Sequence, residues 1–399
     1  MRSWDNYNTP LYLVSAGFLI IGFVSGQLLL YAVPLVLLTA GECLSQTDRR
    51  FSIPMFCLLL TGLALPPDLS DDVYRYLWEG YVQTQGFSPY SNSPQSLFES
   101  LQHPTETRVA YPSLTAIYPP LAQYLFAAAA LVSPYLWAWK LLLGLVVLGF
   151  ALHPAGRGMA PWLVSPLVLF EGFWGAHLDL LGLLPAFLLV RALKDNKAME
   201  AGLYLALMTA LKLLPGLLLP ACLLHFPMRR WPRLLGVFVA VIFLAWLPYL
   251  YEGGNLFASF LTFGRQWHFN NPLFPLLREM MHHDNVRPFM AGCLLVTAAA
   301  ATLWRRSTRQ RMAGVWLALF LFSPTLYPWY LLWLIPFVHP ERRKHLHLAY
   351  AAAALSYLIL IPYRITGVWQ ESFWWLVPEW VALLWCFQAI WRAPKSVVT

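Results

Sequence analysis

Stretches without Asp, Glu, Lys or Arg recur along the chain, among them residues 10–41, 119–139, 141–156, 201–211, 234–251, 288–304, 312–340 and 346–363. Runs of about 18 or more apolar residues read as membrane helices, and several of these stretches are that long. As one helix, residues 10–41 would reach about 48 Å against a hydrocarbon core of about 30 Å. The pattern therefore predicts a helical hairpin over 10–45, broken near Ser25-Gly26. A crossing at 51–67 follows, with others at about 176–192, 198–214, 215–228, 234–251, 288–304, 312–325, 327–339, 346–362 and 373–391. Between them the runs 119–133, 135–152 and 160–175 give three segments, and Tyr118–Ala130 becomes a partial insertion if Arg157 is cytoplasmic. Internal prolines such as Pro215, Pro324 and Pro328 are tolerated where the backbone faces protein or a watery cavity. The expectation is an all-α polytopic membrane protein: a single integral membrane domain over 1–399, with about 12–14 membrane segments and no internal repeat.

Composition sharpens this. The chain is 59% hydrophobic and only 12% charged, where a soluble domain carries about 25% charge. Its net charge of +8 is no nucleic-acid signature, because the basic residues sit in short clusters between apolar runs. Arg49/Arg50, Arg191/Lys194/Lys197, Arg229/Arg230/Arg233, Arg305/Arg306/Arg309/Arg311, Arg342/Arg343/Lys344 and Arg392/Lys395 hold 17 of the 27. The positive-inside rule sets all six on the cytoplasmic side. Residues 68–118 then form a long outer loop, with further outer loops at 252–287 and about 363–372. Residues 10–41 lack a short apolar core followed by a small-residue cleavage site, so no cleavable signal is expected. The five scattered cysteines read as small buried side chains.

Candidate chemistry is concentrated in a few places. In SDDVYRYLWEGYVQTQGFSPY the acidic pair Asp71 and Asp72 follows an apolar run. Apolar and aromatic residues fall at 73, 74, 77, 78 and 81, with Arg75, Glu79 and Gln83 opposite. That is the spacing of an amphipathic helix lying in the interface, with Ser70 and the aspartates in its cap and first turn. The aspartates either start a helix or supply a general base toward a hydroxyl. Tyr118-Pro119-Pro120 opens an apolar helix, where proline is normal. Glu171, His177 and Asp179 fall at membrane depth, where ionisable groups are costly and functional by default. His177 and Asp179 share no helix face unless the backbone breaks near Gly175, so substrate contact is expected there rather than a metal pair. Lys212 is isolated in TALKLLPGLLLP and either snorkels or pairs with a phosphate or carboxylate. Trp329, after Tyr327-Pro328, fits an aromatic belt. FGRQWHFNNPLF gathers Arg265, His268, Asn270 and Asn271 among aromatics, and His282-His283-Asp284 reads as an exposed polar turn.

Taken in order, SDDVYRYLWEGYVQTQGFSPY, IYPPLAQYLFA, GAHLDLLGLLPAFLL, ALKLLPGLLLP and SPTLYPWYLLWLIPF resemble bacterial polyprenol-phosphate-mannose-dependent mannosyltransferases. These belong to the GT-C superfamily and are related to glycosyltransferase family 87. The likeness runs from about residue 51 to 340, and the acidic loop motif is its most specific part. It implies a GT-C-like helical bundle and an inverting transfer of a hexose, mannose favoured. The donor would be a polyprenyl-phosphate sugar, and the acceptor hydroxyl would sit on a glycolipid, glycan or protein at the outer face of the plasma membrane. Asp71 or Asp72 would be the catalytic base, with Arg75, Lys212, Arg265 and His268 as cations for the leaving phosphate. Tyr118, His177, Asp179 and Trp329 would contact substrate, with Trp78 and Tyr81 as further aromatic faces. His177 and Asp179 resemble a Gly-His-Asn-Asp element with leucine in place of asparagine, which favours sugar contact over catalysis. No cofactor is obligatory; adjacent carboxylates also suit magnesium or manganese. The competing reading is a transporter or lipid flippase, against which the absence of a repeat and the concentration of acid in one outer loop both argue.

Overall fold

A computed structural model describes residues 5–44, 53–102, 108–156, 158–163, 165–251, 256–304 and 306–392. Arg49, Arg50, Arg157, Arg305 and Lys395, part of the charge asymmetry noted above, lie outside the described residues. The fold is 77% helix, without strands among the described residues; an isolated parallel bridge joins Phe269 and Thr325. Among the described residues three helices, Met228–Leu250, His283–Leu303 and Pro340–Thr366, are long and apolar enough to cross a membrane. Two more apolar pairs are broken by short gaps, Pro120–Val132 with Leu136–Leu152 and Val168–Trp174 with Asp179–Lys194. Large apolar side chains such as Val239, Phe243, Leu244, Leu295 and Val296 stay exposed along these helices, as contact with lipid requires. This is a polytopic membrane protein. The N-terminal hairpin forms as its length demands: Asp5–Ser25 ends at Gly26, whose φ of 66° supplies the left-handed turn.

The chain divides into two compact units. The described residues of Met1–Leu69, Arg157–Gly175 and His268–Val398 make one. Its apolar helices are joined by polar contacts. Glu171, in the π-helical turn Val168–Trp174, accepts hydrogen bonds from the Tyr350 and Tyr357 hydroxyls at 2.7 and 2.8 Å. Asp68 holds Arg364 at 2.9 Å and accepts from Tyr31. Glu42 lies 3.6 Å from His347 and 3.8 Å from Arg343.

Ser70–Gly156 and Ala176–Trp267 form the second unit, which positions the candidate chemistry. The helix Asp72–Thr84 packs on Pro120–Val132. Gly80 marks the closest approach: a Cβ there would meet the Phe126 carbonyl oxygen at 2.3 Å. The expected helix over 73–83 is present, with its polar face turned into protein rather than to an interface. Arg75 and Glu79 are both buried. Ala198–Leu211 stops where it does because the ring of Pro215 would strike the carbonyl four residues back, at Leu211. Lys212 therefore emerges on extended backbone, φ −153° and ψ 132°.

Candidate active site

Three helix ends converge within this unit. Asp72 is the first residue of Asp72–Thr84 and Asp179 the first of Asp179–Lys194, where the N-terminal dipole favours negative charge. Lys212 caps the C-terminus of Ala198–Leu211, where the dipole favours a cation. Its ammonium lies 2.6 Å from Asp179 Oδ1. The snorkelling alternative is thereby replaced by an ion pair to a carboxylate that is 1% exposed.

Asp72 is reached from several sides. Tyr118 Oη lies 3.4 Å from Asp72 Oδ2 and 3.3 Å from Tyr76 Oη. His177 Nδ1 lies 3.8 Å from the same Asp72 oxygen. His177 and Asp179 reach one cluster because the chain breaks: Ala176 adopts φ 56°, and Trp139 Nε1 donates to its carbonyl at 2.8 Å. A third of the Asp72 side chain remains exposed. Burial pushes its carboxyl up to about 6, with the Lys212 charge pulling down and Asp179 pushing up. That places a proton acceptor near neutrality with an open approach.

Asp71 is different in kind. Its side chain is 65% exposed, 4.0 Å from Arg108, whose guanidinium lies over the Tyr74 ring. Although it holds the cap position, its side chain makes no cap hydrogen bond; Ser70 Oγ accepts from the Asp72 N–H instead. Tyr76, one helical turn after Asp72, was not among the expected site residues, although its i, i+4 spacing points to the same face.

Arg75 corrects an expectation. It donates to the carbonyls of Ala110, Tyr111, Leu114 and Thr115, and its Nε to Glu79 at 2.7 Å. With every guanidinium N–H so engaged, it fastens the loop at 110–115 to the helix and has nothing left for a phosphate. Gln123 closes this network with a 2.6 Å bond to Glu79, and the Tyr90 hydroxyl fixes the Tyr118 carbonyl at 2.6 Å. Trp78 is packed among Val82, Leu97 and Val109 and offers no face to a sugar. Arg265 is exposed, outside the cluster among the described residues. His268 and Trp329 belong to the other unit. His268 stacks on Phe274, and Trp329 is 5% exposed with Tyr327 stacked 4.4 Å away, so it is a packing residue rather than an open platform.

The family model described as glycosyltransferase family 87 matches residues 115–328. That stretch contains Tyr118, His177, Asp179 and Lys212 and begins after the acidic pair. No curated protein and no solved structure matches the chain. Covering more than half of the 399 residues, the family match establishes this membrane protein as a member of glycosyltransferase family 87.

Proposed function

We propose that this glycosyltransferase moves a hexose, mannose favoured, from a polyprenyl-phosphate donor to an acceptor hydroxyl at the outer face of the membrane, inverting the anomeric centre. One observation carries the reading: Asp72, a part-exposed carboxylate with its proton affinity raised to about 6, sits in a cluster with Tyr118, His177 and the Asp179–Lys212 pair. As the acceptor oxygen attacks the anomeric carbon, its proton passes to Asp72. The bond from that carbon to the phosphate oxygen breaks, and its electron pair leaves with polyprenyl phosphate. Tyr118 orients the carboxylate, and His177 lines the acceptor side. Lys212 holds Asp179 in place, and its positive charge stabilises the departing phosphate. A monophosphate leaving group develops less charge than a diphosphate, so no obligatory metal is invoked in this step. A lipid-borne donor also agrees with an apolar helical body.

The test is incubation of the purified protein with labelled polyprenyl-phosphate mannose or glucose, membrane lipids and a panel of glycan and peptide acceptors. Transfer from the mannosyl donor that disappears in Asp72→Asn supports the reading. Absence of transfer from either polyprenyl donor, with a nucleotide sugar active in its place, overturns the donor class.

A further inference from the structure

A second buried acidic site lies wholly within the other unit, around Asn270, and the transfer reaction does not use it. Asn270 is 1% exposed and sits in the left-handed region, φ 54°, which asparagine tolerates better than most residues. Its surroundings are fixed. Phe269 donates to the Pro324 carbonyl at 3.1 Å, Leu326 to the Phe269 carbonyl at 2.9 Å, and the Trp380 indole to the Asn270 carbonyl at 3.0 Å. Two carboxylates then meet on this one residue. Asn270 Nδ2 donates to Glu379 Oε1 at 2.5 Å, and its backbone N–H donates to Glu371 Oε1.

Neither carboxylate has an ion pair to Lys, Arg or His among the described residues. Glu379 is fully buried and Glu371 partly exposed. With its amide nitrogen committed to Glu379, Asn270 keeps an acceptor oxygen. Asn270 Oδ1 and Glu379 Oε2 are both buried without a hydrogen-bond donor among the described residues. Leaving such oxygens and two like charges uncompensated is strongly unfavourable. A proton on Glu379 Oε2, donated to Asn270 Oδ1, would satisfy both oxygens and remove one charge, but it leaves the Glu371 carboxylate with no basic partner among the described residues. A hard cation meets the oxygens and the charge together. Two carboxylates call for two positive charges, which selects a divalent ion over sodium or potassium.

We propose that Asn270 Oδ1, Glu371 and Glu379 bind one divalent cation of the calcium or magnesium type, which fastens the loop at 268–271 to the helix Phe373–Trp391. Water completes the coordination from the Glu371 side, where the site is open. The role is structural, and it stands or falls independently of the transfer reaction.

The purified full-length protein in detergent is stripped with EDTA, then dialysed against calcium or magnesium chloride, with choline chloride as the ionic-strength control. Bound metal is counted by mass spectrometry, and thermal unfolding is followed in parallel. One equivalent is expected in the wild type and in Asp72→Asn, with a rise of several degrees in Tm over the stripped protein. Glu371→Gln and Glu379→Gln should retain no ion and show no rise. Glu371→Gln leaves the Asn270–Glu379 bond intact, so it decides the matter if Glu379→Gln fails to fold. Terbium added to the stripped protein should give tryptophan-sensitised emission that Glu371→Gln abolishes. No bound equivalent and an unmoved Tm in the wild type would mean that Glu379 holds a proton. An ion retained by Glu371→Gln, or lost in Asp72→Asn, would place the metal elsewhere. Either result overturns the proposal.

Discussion

At the residue scale, adjacent aspartates separate into two environments because neighbours on a helix point about 100° apart. Asp72 enters the cluster while Asp71 faces outward beside Arg108. Asp72→Asn keeps the shape but cannot take a proton, so turnover should fall by about two to four orders of magnitude. Asp71→Asn should stay within a few-fold of wild type, and comparable activity in both variants would end the carboxylate mechanism. Since the base works deprotonated, kcat/KM should decline below a pH of about 6, losing about tenfold per unit. The sign for stability is opposite. An unfolded aspartate titrates near about 3.9, so the folded state binds this proton more tightly and stability falls as pH rises from about 4 to about 6. Charged Asp72 is then a cost at neutral pH, and Asp72→Asn should unfold no earlier than wild type. The Asp179–Lys212 pair should behave in the other way. Lys212→Met strands a carboxylate that is 1% exposed, and breaking a buried pair costs about 3–5 kcal/mol. Adding Asp179→Asn should restore most of the lost Tm; a single variant as stable as wild type would mean that the pair contributes nothing.

At the element scale, the sequence announced the helices better than it announced their faces. Spacing from Val73 to Gln83 predicted a helix, and Asp72–Thr84 is one. It could not tell that Arg75 and Glu79 are buried, because their partners lie far along the chain at 110–115 and 123. Similarly, a break near Gly175 was recognisable as the condition for His177 and Asp179 to act together. Its execution was not, since alanine seldom adopts the left-handed conformation that Ala176 takes. The reassigned role of Arg75 can be checked by Arg75→Lys, which keeps the charge and loses the planar fork. A phosphate-binding cation would tolerate that change at some cost in donor KM. A residue that fastens a loop would not, so Tm should drop and limited proteolysis should open the chain around 108–115. Gly80→Ala tests the same helix from its packing side. The 2.3 Å encounter involves the backbone oxygen of Phe126, which cannot rotate away, and overpacking of this kind costs about 1–3 kcal/mol. A neutral effect on Tm would show that the two helices can separate without loss.

At the scale of the whole molecule, membrane residence was legible because it depends on length and polarity, which are local properties of the sequence. The division into two units was not, because the chain leaves the first unit at Leu69, returns for Arg157–Gly175 and returns again at His268. Contacts of that kind are long-range and have no signature in a run of apolar residues. Sidedness falls between the two, since it rests on the distribution of arginine and lysine between loops. If the positive-inside reading is right, the loop that carries Asp72 faces outward, where a sugar already carried across on a lipid would be met. The turn containing Arg229 and Arg230 would face the cytoplasm. Cysteine introduced at Ser96 or at Met228, both exposed, in a background lacking the five native cysteines, separates these faces. Ser96→Cys should react with a membrane-impermeant maleimide on intact cells, and Met228→Cys only after permeabilisation. The reverse pattern would put the aspartates on the side where nucleotide sugars are plentiful, removing the main reason for a donor carried on a polyprenyl phosphate.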